Sequence, residues 1–166
     1  SPEDSEKTTV LDILPEEIDL KNEKITKAKL KEYKYFGLYF SAHWCGPCRQ
    51  FTPQLIKLYN EINKDEKKIE IIFVSFDNEE EQYKEYYNEM PWSTLGFNPE
   101  SGEKLSLKFG VEGIPALLFF DQKGNLICEE GRDAVNNEGS NLFTYLENYL
   151  KHKEEEEKIT VLDILP

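Results

Sequence analysis

Two runs in this chain, KYFGLYF (34–40) and IEIIFVSF (69–76), are almost entirely aromatic, aliphatic or β-branched. Runs of that kind and length read as buried strands. Each is followed by a stretch with helical spacing. After the first, Phe51, Leu55, Leu58, Tyr59 and Ile62 recur on one helix face, which predicts a helix from Cys45 to about Asn63. After the second, NEEEQYKEYYNEM (78–90) predicts another, with Asn78 as its cap, acids in the first turn and Pro91 beyond the end. Buried strands that feed helices imply an α/β architecture whose central strands run parallel.

The remaining segments extend that sheet. IDL–KNEK–IT (18–26) predicts a small hairpin at the front, and EKLSLKFG (103–110) a short helix closed by Gly110. ALLFF (116–120), the turn DQKGN and LICEE (126–130) predict a second hairpin. A last helix is expected from Ser140 to about Lys153, with Leu142, Phe143, Leu146, Tyr149 and Leu150 inward. The fold class is therefore α/β, a central mixed sheet flanked by helices. A length of 166 residues suits one domain, and 39% hydrophobic content argues against a disordered chain. The net charge of −13 argues against a general binder of nucleic acid or anionic membrane, because contacts to phosphate need Lys and Arg.

The chemistry sits in AHWCGPCRQFTP (42–53), where the first buried strand gives way to a helix. Ligand sites in open α/β sheets favour that edge. A cysteine in the first turn of a helix meets unpaired backbone N–H groups and the positive end of the dipole, and both favour thiolate. Lowering a thiol from ~8.5 to ~7 needs roughly 2 kcal/mol. The dipole supplies about 0.3–1 kcal/mol at an exposed site, so hydrogen bonds to sulfur must provide the rest. Two residues between the cysteines bring the sulfurs within bridging reach. Gly46 removes bulk, and Pro47 restrains the turn where its missing N–H is not needed. Cys45, further out, is the expected attacking thiolate; Cys48, deeper, is the expected resolving thiol.

The same pair could instead be half of a zinc site. Structural zinc usually takes four Cys or His ligands, and beyond the pair only Cys128, His43 and His152 remain. No metal and no bound cofactor is expected. Cys128, in a predicted strand, reads as a small buried hydrophobe. His43, two residues before Cys45, has two readings. It is a solvated loop histidine, or an imidazolium that supports the thiolate. Arg49 reads as a solvated helix residue.

FSAHWCGPCRQFTPQL, EMPW (89–92) and FGVEGIPALLFFDQKG (109–124) together resemble a thioredoxin-fold protein, most closely its tryparedoxin and nucleoredoxin branch. The resemblance covers about residues 10–150. It implies dithiol–disulfide exchange with Cys45 as nucleophile and Cys48 resolving, Trp44 flanking the site, and a cis-proline loop opposite. The matching proline is Pro115; on sequence alone an ordinary trans turn is the default. A cis bend there would hold the backbone of Ile114 beside the sulfurs, where it could pair with an extended substrate segment. Pro53 matches a kink inside the family's helix. Two departures stand out. The branch commonly carries Pro-Pro between its cysteines, whereas this chain has Gly46-Pro47, as thioredoxin does. Thioredoxin's buried acid, six residues before the nucleophile, is replaced by Tyr39, as in the tryparedoxin branch. A phenol is too weak an acid to titrate near neutrality.

The function expected from these readings is reduction of protein disulfides. Electrons would come from a low-molecular-weight dithiol or a reductase and pass to oxidised clients such as a peroxiredoxin. The alternative is a redox-responsive binding module of nucleoredoxin type, in which the dithiol gates affinity for a partner. Only three cysteines, two of them paired as C-x-x-C, fit a reducing compartment: the cytoplasm, with the nucleus second.

One feature lies outside the site. TVLDILP stands at residues 9–15 and again at 160–166. With the residues before it, EDSEKTTVLDILP (3–15) matches EEEEKITVLDILP (154–166) at ten of thirteen positions, at an offset of 151. That offset is about one module long and reads as a tandem array. Residues 1–8 are then a charged linker, 9–153 the module, and 154–166 an acidic linker plus the start of a next module. In the first copy Thr9 is expected to cap a short helix whose Val10, Leu11, Ile13 and Leu14 pack on the core before Pro15 ends it. The second copy is expected to be exposed, poorly ordered or docked on a neighbour.

Overall fold

The two apolar runs form the middle of a seven-stranded sheet in a computed structural model that describes residues 8–164. The first is strand β3 (Tyr35–Ser41) and the second β4 (Ile69–Ser75), paired in parallel from Tyr35 opposite Ile69 to Ser41 opposite Ser75. Every residue of both is buried. The period-two alternation of a strand sorts them. Tyr35, Tyr39, Ile71 and Phe73 belong to one face, and Phe36, Leu38, Phe40, Ile72 and Val74 to the other. Helices cover both faces, so neither half of the period is polar.

Along the chain come α1 (Val10–Ile13), β1 (Glu17–Leu20), β2 (Glu23–Thr26), α2 (Lys27–Leu30), β3, α3 (Gly46–Ile62), β4, α4 (Glu80–Tyr87) and β5 (Ser93–Thr94). There follow α5 (Pro99–Phe109), β6 (Ala116–Asp121), β7 (Leu126–Cys128), α6 (Gly131–Glu138), a short 3-10 turn at Gly139–Asn141 and α7 (Leu142–Ile164). The sheet order is β2-β1-β5-β4-β3-β6-β7. β3, β4 and β5 are parallel to one another, and the outer pairings are antiparallel. The expected mixed α/β sheet is thus present, with one hairpin at each end. Residues from α3, α4, α6 and α7 pack on the Tyr39 face, and residues from α1, α2 and α5 on the Phe40 face.

EMPW acquires a structural role. Met90 and Trp92 are fully buried, and the Trp92 ring meets Tyr39 and Tyr59 edge-on at 5.9 and 5.6 Å. A buried aromatic of this size contributes about 1.5–3 kcal/mol by area, and each edge-on pair about 0.5–1.5 more.

The structure departs from the sequence reading in several places. α4 begins at Glu80, and its cap is Glu79 with no side-chain bond, rather than Asn78. α5 begins at Pro99, capped by Asn98, which accepts from the Ser101 N–H; Gly110 does close it, in the left-handed region at φ 67°. α2, α6 and β5 were not expected from the sequence. Tyr149, expected inward, is 40% exposed, while Leu142 and Leu146 are buried. Within 154–166, read as an acidic linker plus the start of a next module, residues 154–164 continue α7 as helix. Glu and Lys are good helix formers, no Gly or Pro interrupts, and His152 pairs with Glu156 one turn on, at 3.1 Å. The side chains of 160–166, the second TVLDILP, lie outside the described residues, as do residues 1–7.

Candidate active site

β3 ends at Ser41 and α3 begins at Gly46, so the four residues between them carry the chain from sheet edge to helix. Cys45 is the helix cap, with extended backbone at φ −91° and ψ 114°. Its Sγ accepts the Cys48 N–H at 3.3 Å, in the place a serine or aspartate oxygen takes in an ordinary cap. The two cysteines are joined as a disulfide with Cα atoms 5.2 Å apart. Cys45 is 7% exposed and Cys48 fully buried, which gives the outer and inner positions expected. Pro47 sits in the first turn of α3, and Pro53 inside the same helix. Gly46 corrects the sequence reading: a Cβ there would have no neighbour within 4 Å, so packing does not demand glycine.

Trp44, Phe76 and the Ile114–Pro115 peptide frame the sulfurs. Trp44 is 54% exposed, and its Nε1 donates to the Phe76 carbonyl at 3.0 Å, which lays the indole along the rim. The Ile114–Pro115 peptide is cis, and the Ile114 carbonyl oxygen lies 3.9 Å from Cys45 Sγ. Ile114 and Phe76 pack against the apolar group of Ala42, Cys45 and Cys48. Arg132, which sequence reasoning missed, donates from Nη1 to the Pro115 carbonyl at 3.2 Å while its guanidinium covers the Phe51 ring. It thereby ties α6 to the proline loop and to α3.

Beneath Cys48 lies a chain of buried hydroxyls. Thr52 Oγ1 is 2.6 Å from Tyr39 OH and 2.5 Å from Tyr86 OH, and Tyr86 OH is 2.6 Å from Ser41 Oγ. Thr52 also bonds back to the Cys48 carbonyl at 2.8 Å, and Tyr39 OH lies 3.5 Å from the same oxygen. Burial, and then the neighbouring Tyr86, hold the Tyr39 phenol well above its ordinary range. Tyr39 is therefore a neutral hydroxyl that anchors the first turns of α3. Ser41, Thr52 and Tyr86 were not singled out in the sequence.

His43 is held by a residue the sequence reading also passed over. Its backbone N–H donates to Asp77 Oδ1 at 2.7 Å, and Ser75 Oγ donates to Asp77 Oδ2 at 2.8 Å. Asp77 is a buried carboxylate that ties the segment before Cys45 to the end of β4. The His43 ring meets Tyr86 edge-on at 5.8 Å.

Cys128 is unpaired and buried at the far end of the sheet, and burial pushes its thiol up. His152 lies on the exposed part of α7. Among the described residues no three Cys, His, Asp or Glu side chains group as a metal ion would require. No described helix is long and apolar enough to cross a membrane.

Residues 32–126, more than half of the chain, match the family model described as thioredoxin-like. The chain belongs to the thioredoxin-like family, in its tryparedoxin and nucleoredoxin branch. Two relatives mark the nucleoredoxin side of this thioredoxin-like branch. Nucleoredoxin of Danio rerio is 37% identical over 126 residues, which cover 75% of this chain and 30% of that protein. Probable nucleoredoxin 1 of Arabidopsis thaliana is 40% identical over 125 residues, 75% of this chain and 22% of that protein. The chain thus spans less than a third of the length of these relatives. On the tryparedoxin side, native tryparedoxin I from Crithidia fasciculata superposes with a TM-score of 0.73 at 33% identity, covering 80% of this chain and 94% of that one. Tryparedoxin II complexed with glutathionylspermidine gives 0.73 at 32% identity, covering 80% and 92%. The thioredoxin-like mixed sheet and a redox pair at disulfide distance are features of this chain itself.

Proposed function

We propose that this thioredoxin-like oxidoreductase reduces disulfides in proteins through the Cys45–Cys48 dithiol. The carrying observation is the asymmetry of the pair. Cys45 reaches the surface as a helix cap with an N–H aimed at its sulfur, while Cys48 is enclosed. In the reduced form the Cys45 thiolate attacks one sulfur of a client disulfide. A mixed disulfide forms and one client thiolate leaves. Cys48, deprotonated, then attacks Cys45 Sγ, which restores the internal disulfide and releases the second client thiolate. Two electrons pass to the client. The resulting disulfide is recharged by a low-molecular-weight dithiol or a reductase of the cytoplasm.

The Ile114 carbonyl beside Cys45 and the exposed Trp44 support an extended client segment crossing the site, with backbone pairing at one side and indole contact at the other. Tyr39, Thr52 and Tyr86 hold the helix that carries Cys48, and Asp77 and Arg132 hold the two loops that flank the sulfurs.

The test is insulin reduction with dithiothreitol as electron source. The reading expects a rate well above the dithiothreitol background, abolished by Cys45→Ser. A rate equal to background, in a chain whose dithiol still cycles, would favour the redox-gated binding module instead.

A further inference from the structure

α5 rests on the sheet through two buried residues, Gly102 and Leu105. A glycine inside a helix weakens it relative to alanine, so its presence needs a reason. Backbone conformation does not supply one: Gly102 lies in ordinary helix, and its N–H bonds to the Asn98 carbonyl at 3.1 Å. Packing does. A Cβ at Gly102 would stand 3.2 Å from Phe76 Cε1, closer than two carbon atoms settle, and 3.5 Å from both Phe76 Cδ1 and the Ser75 carbonyl oxygen. The missing side chain leaves a slot in α5, and the Phe76 ring lies against it.

Phe76 is where the Phe40 face of the core meets the active site. Its side chain packs against that core and against the group of Ala42, Cys45 and Cys48, where Ile114 joins it from the proline loop. Phe40, fully buried, meets the Phe76 ring edge-on at 5.8 Å. The backbone of Phe76 is held on both sides. Its N–H donates to the Ser41 carbonyl at 2.9 Å, and its carbonyl accepts from Trp44 Nε1 at 3.0 Å. The ring is therefore the part that can move. With α5 filled on one side and Phe40 behind, a ring displaced from the slot goes toward the sulfurs. We propose, on the reductase reading of this site, that Gly102 is a positioning residue for the exchange reaction. It receives the Phe76 ring against α5, keeps that ring off the approach to Cys45 Sγ, and so sets how bulky a disulfide the site accepts.

The test compares the wild-type chain with Gly102→Ala. For insulin, kcat/KM is expected to fall about fivefold. In the reduced chain, labelling of Cys45 by the bulky fluorescein maleimide, read by peptide mapping, should slow by a similar factor. Labelling by the small iodoacetamide should stay within about twofold, because the surroundings that favour the thiolate are unchanged. Phe76→Leu added to Gly102→Ala gives the space back and should recover most of both losses, a coupling that two separate effects on the fold would not produce. A wild-type ratio of the two labelling rates in Gly102→Ala, equal slowing by both reagents, unchanged insulin kinetics in an active chain, or a loss that Phe76→Leu does not recover would each overturn the proposal. Should Gly102→Ala fail to fold, Phe76→Ala decides. With the ring gone, the labelling ratio should shift toward the maleimide by about twofold or more, and an unchanged ratio would overturn the proposal. Labelling does not depend on turnover. A wild-type chain with no insulin rate above background would therefore sink the reductase reading and leave the labelling ratio to decide the role of Gly102.

Discussion

The amide N–H of Cys48 points at the Sγ of Cys45 from 3.3 Å. In the reduced protein the same donor faces a thiolate. A hydrogen bond to a charged group is worth about 1.5–3 kcal/mol, and the helix dipole adds about 0.3–1. Together they cover the roughly 2 kcal/mol that an active thiolate needs near neutrality. Cys128 has the opposite setting: burial pushes its thiol up, a hydrogen bond from the Glu130 backbone opposes this in part, and the charges of Glu130, Glu129 and Asp133 add to the rise. Limited iodoacetamide at pH ~7 should therefore modify Cys45 at least about tenfold faster than Cys128, a difference of ~1.4 kcal/mol. Peptide mapping that finds Cys128 first, or both at equal rate, would contradict this.

Trp44 is the exposed aromatic at the rim of the site, so its truncation separates fold from client contact. Trp44→Ala loses one hydrogen bond to the Phe76 carbonyl, a cost of about 1 kcal/mol at most. Steady-state kinetics should show kcat/KM for insulin falling by about tenfold, with little change toward a small aromatic disulfide. Equal losses on both substrates would remove Trp44 from client binding.

Asp77→Ala leaves the His43 N–H and the Ser75 hydroxyl without their acceptor. Urea unfolding should show a loss of about 1.5–3 kcal/mol, and insulin reduction should slow because the segment leading to Cys45 is released. Wild-type stability with an unchanged rate would show that the carboxylate positions nothing.

The strands were legible because burial on both faces leaves continuous apolar runs, as in Tyr35–Phe40. The cysteine pair was legible because it sits at a strand-to-helix junction. What the sequence hid follows from physics of a different range. α6 is GRDAVNNE, with only Ala134 and Val135 as apolar buried side chains, so it carries almost no periodic signal. β5 is two polar residues placed by pairing with β4 and β1. The hydroxyls of Ser41, Thr52 and Tyr86 meet only after three elements pack, and nothing local marks any one of them. Asp77 resembled any acid after a strand until its two bonds were seen. The helix through residues 154–164 was hidden because a run of like charges carries no apolar period, although Glu and Lys are good helix formers.

The buried phenols make a pH prediction. Burial, reinforced by Glu147, Asp121 and Glu154, pushes Tyr35 up to about 12. Burial also pushes Tyr87 up to about 12, against the opposing N–H of Lys21. Tyr39 and Tyr59 are raised as well. Unfolded phenols lose their protons near pH ~10. Between that pH and the folded value, the unfolded chain binds fewer protons, so stability falls as pH rises. Below about pH 9 the contribution is complete. Urea midpoints should be flat with respect to these groups up to there and then drop, with tyrosinate absorbance rising together with unfolding. Tyrosines that all ionise near pH ~10 while stability holds would contradict the raised values.

The most direct measurement is trapping with Cys48→Ser. Without the inner thiol the first exchange proceeds and the second cannot. The account predicts a covalent adduct heavier than the variant by one whole insulin molecule after incubation with insulin, joined through Cys45 and released by dithiothreitol. Cys45→Ser should give no such adduct. Attachment through Cys128, or equal adducts from both single variants, would contradict Cys45 as the attacking thiolate.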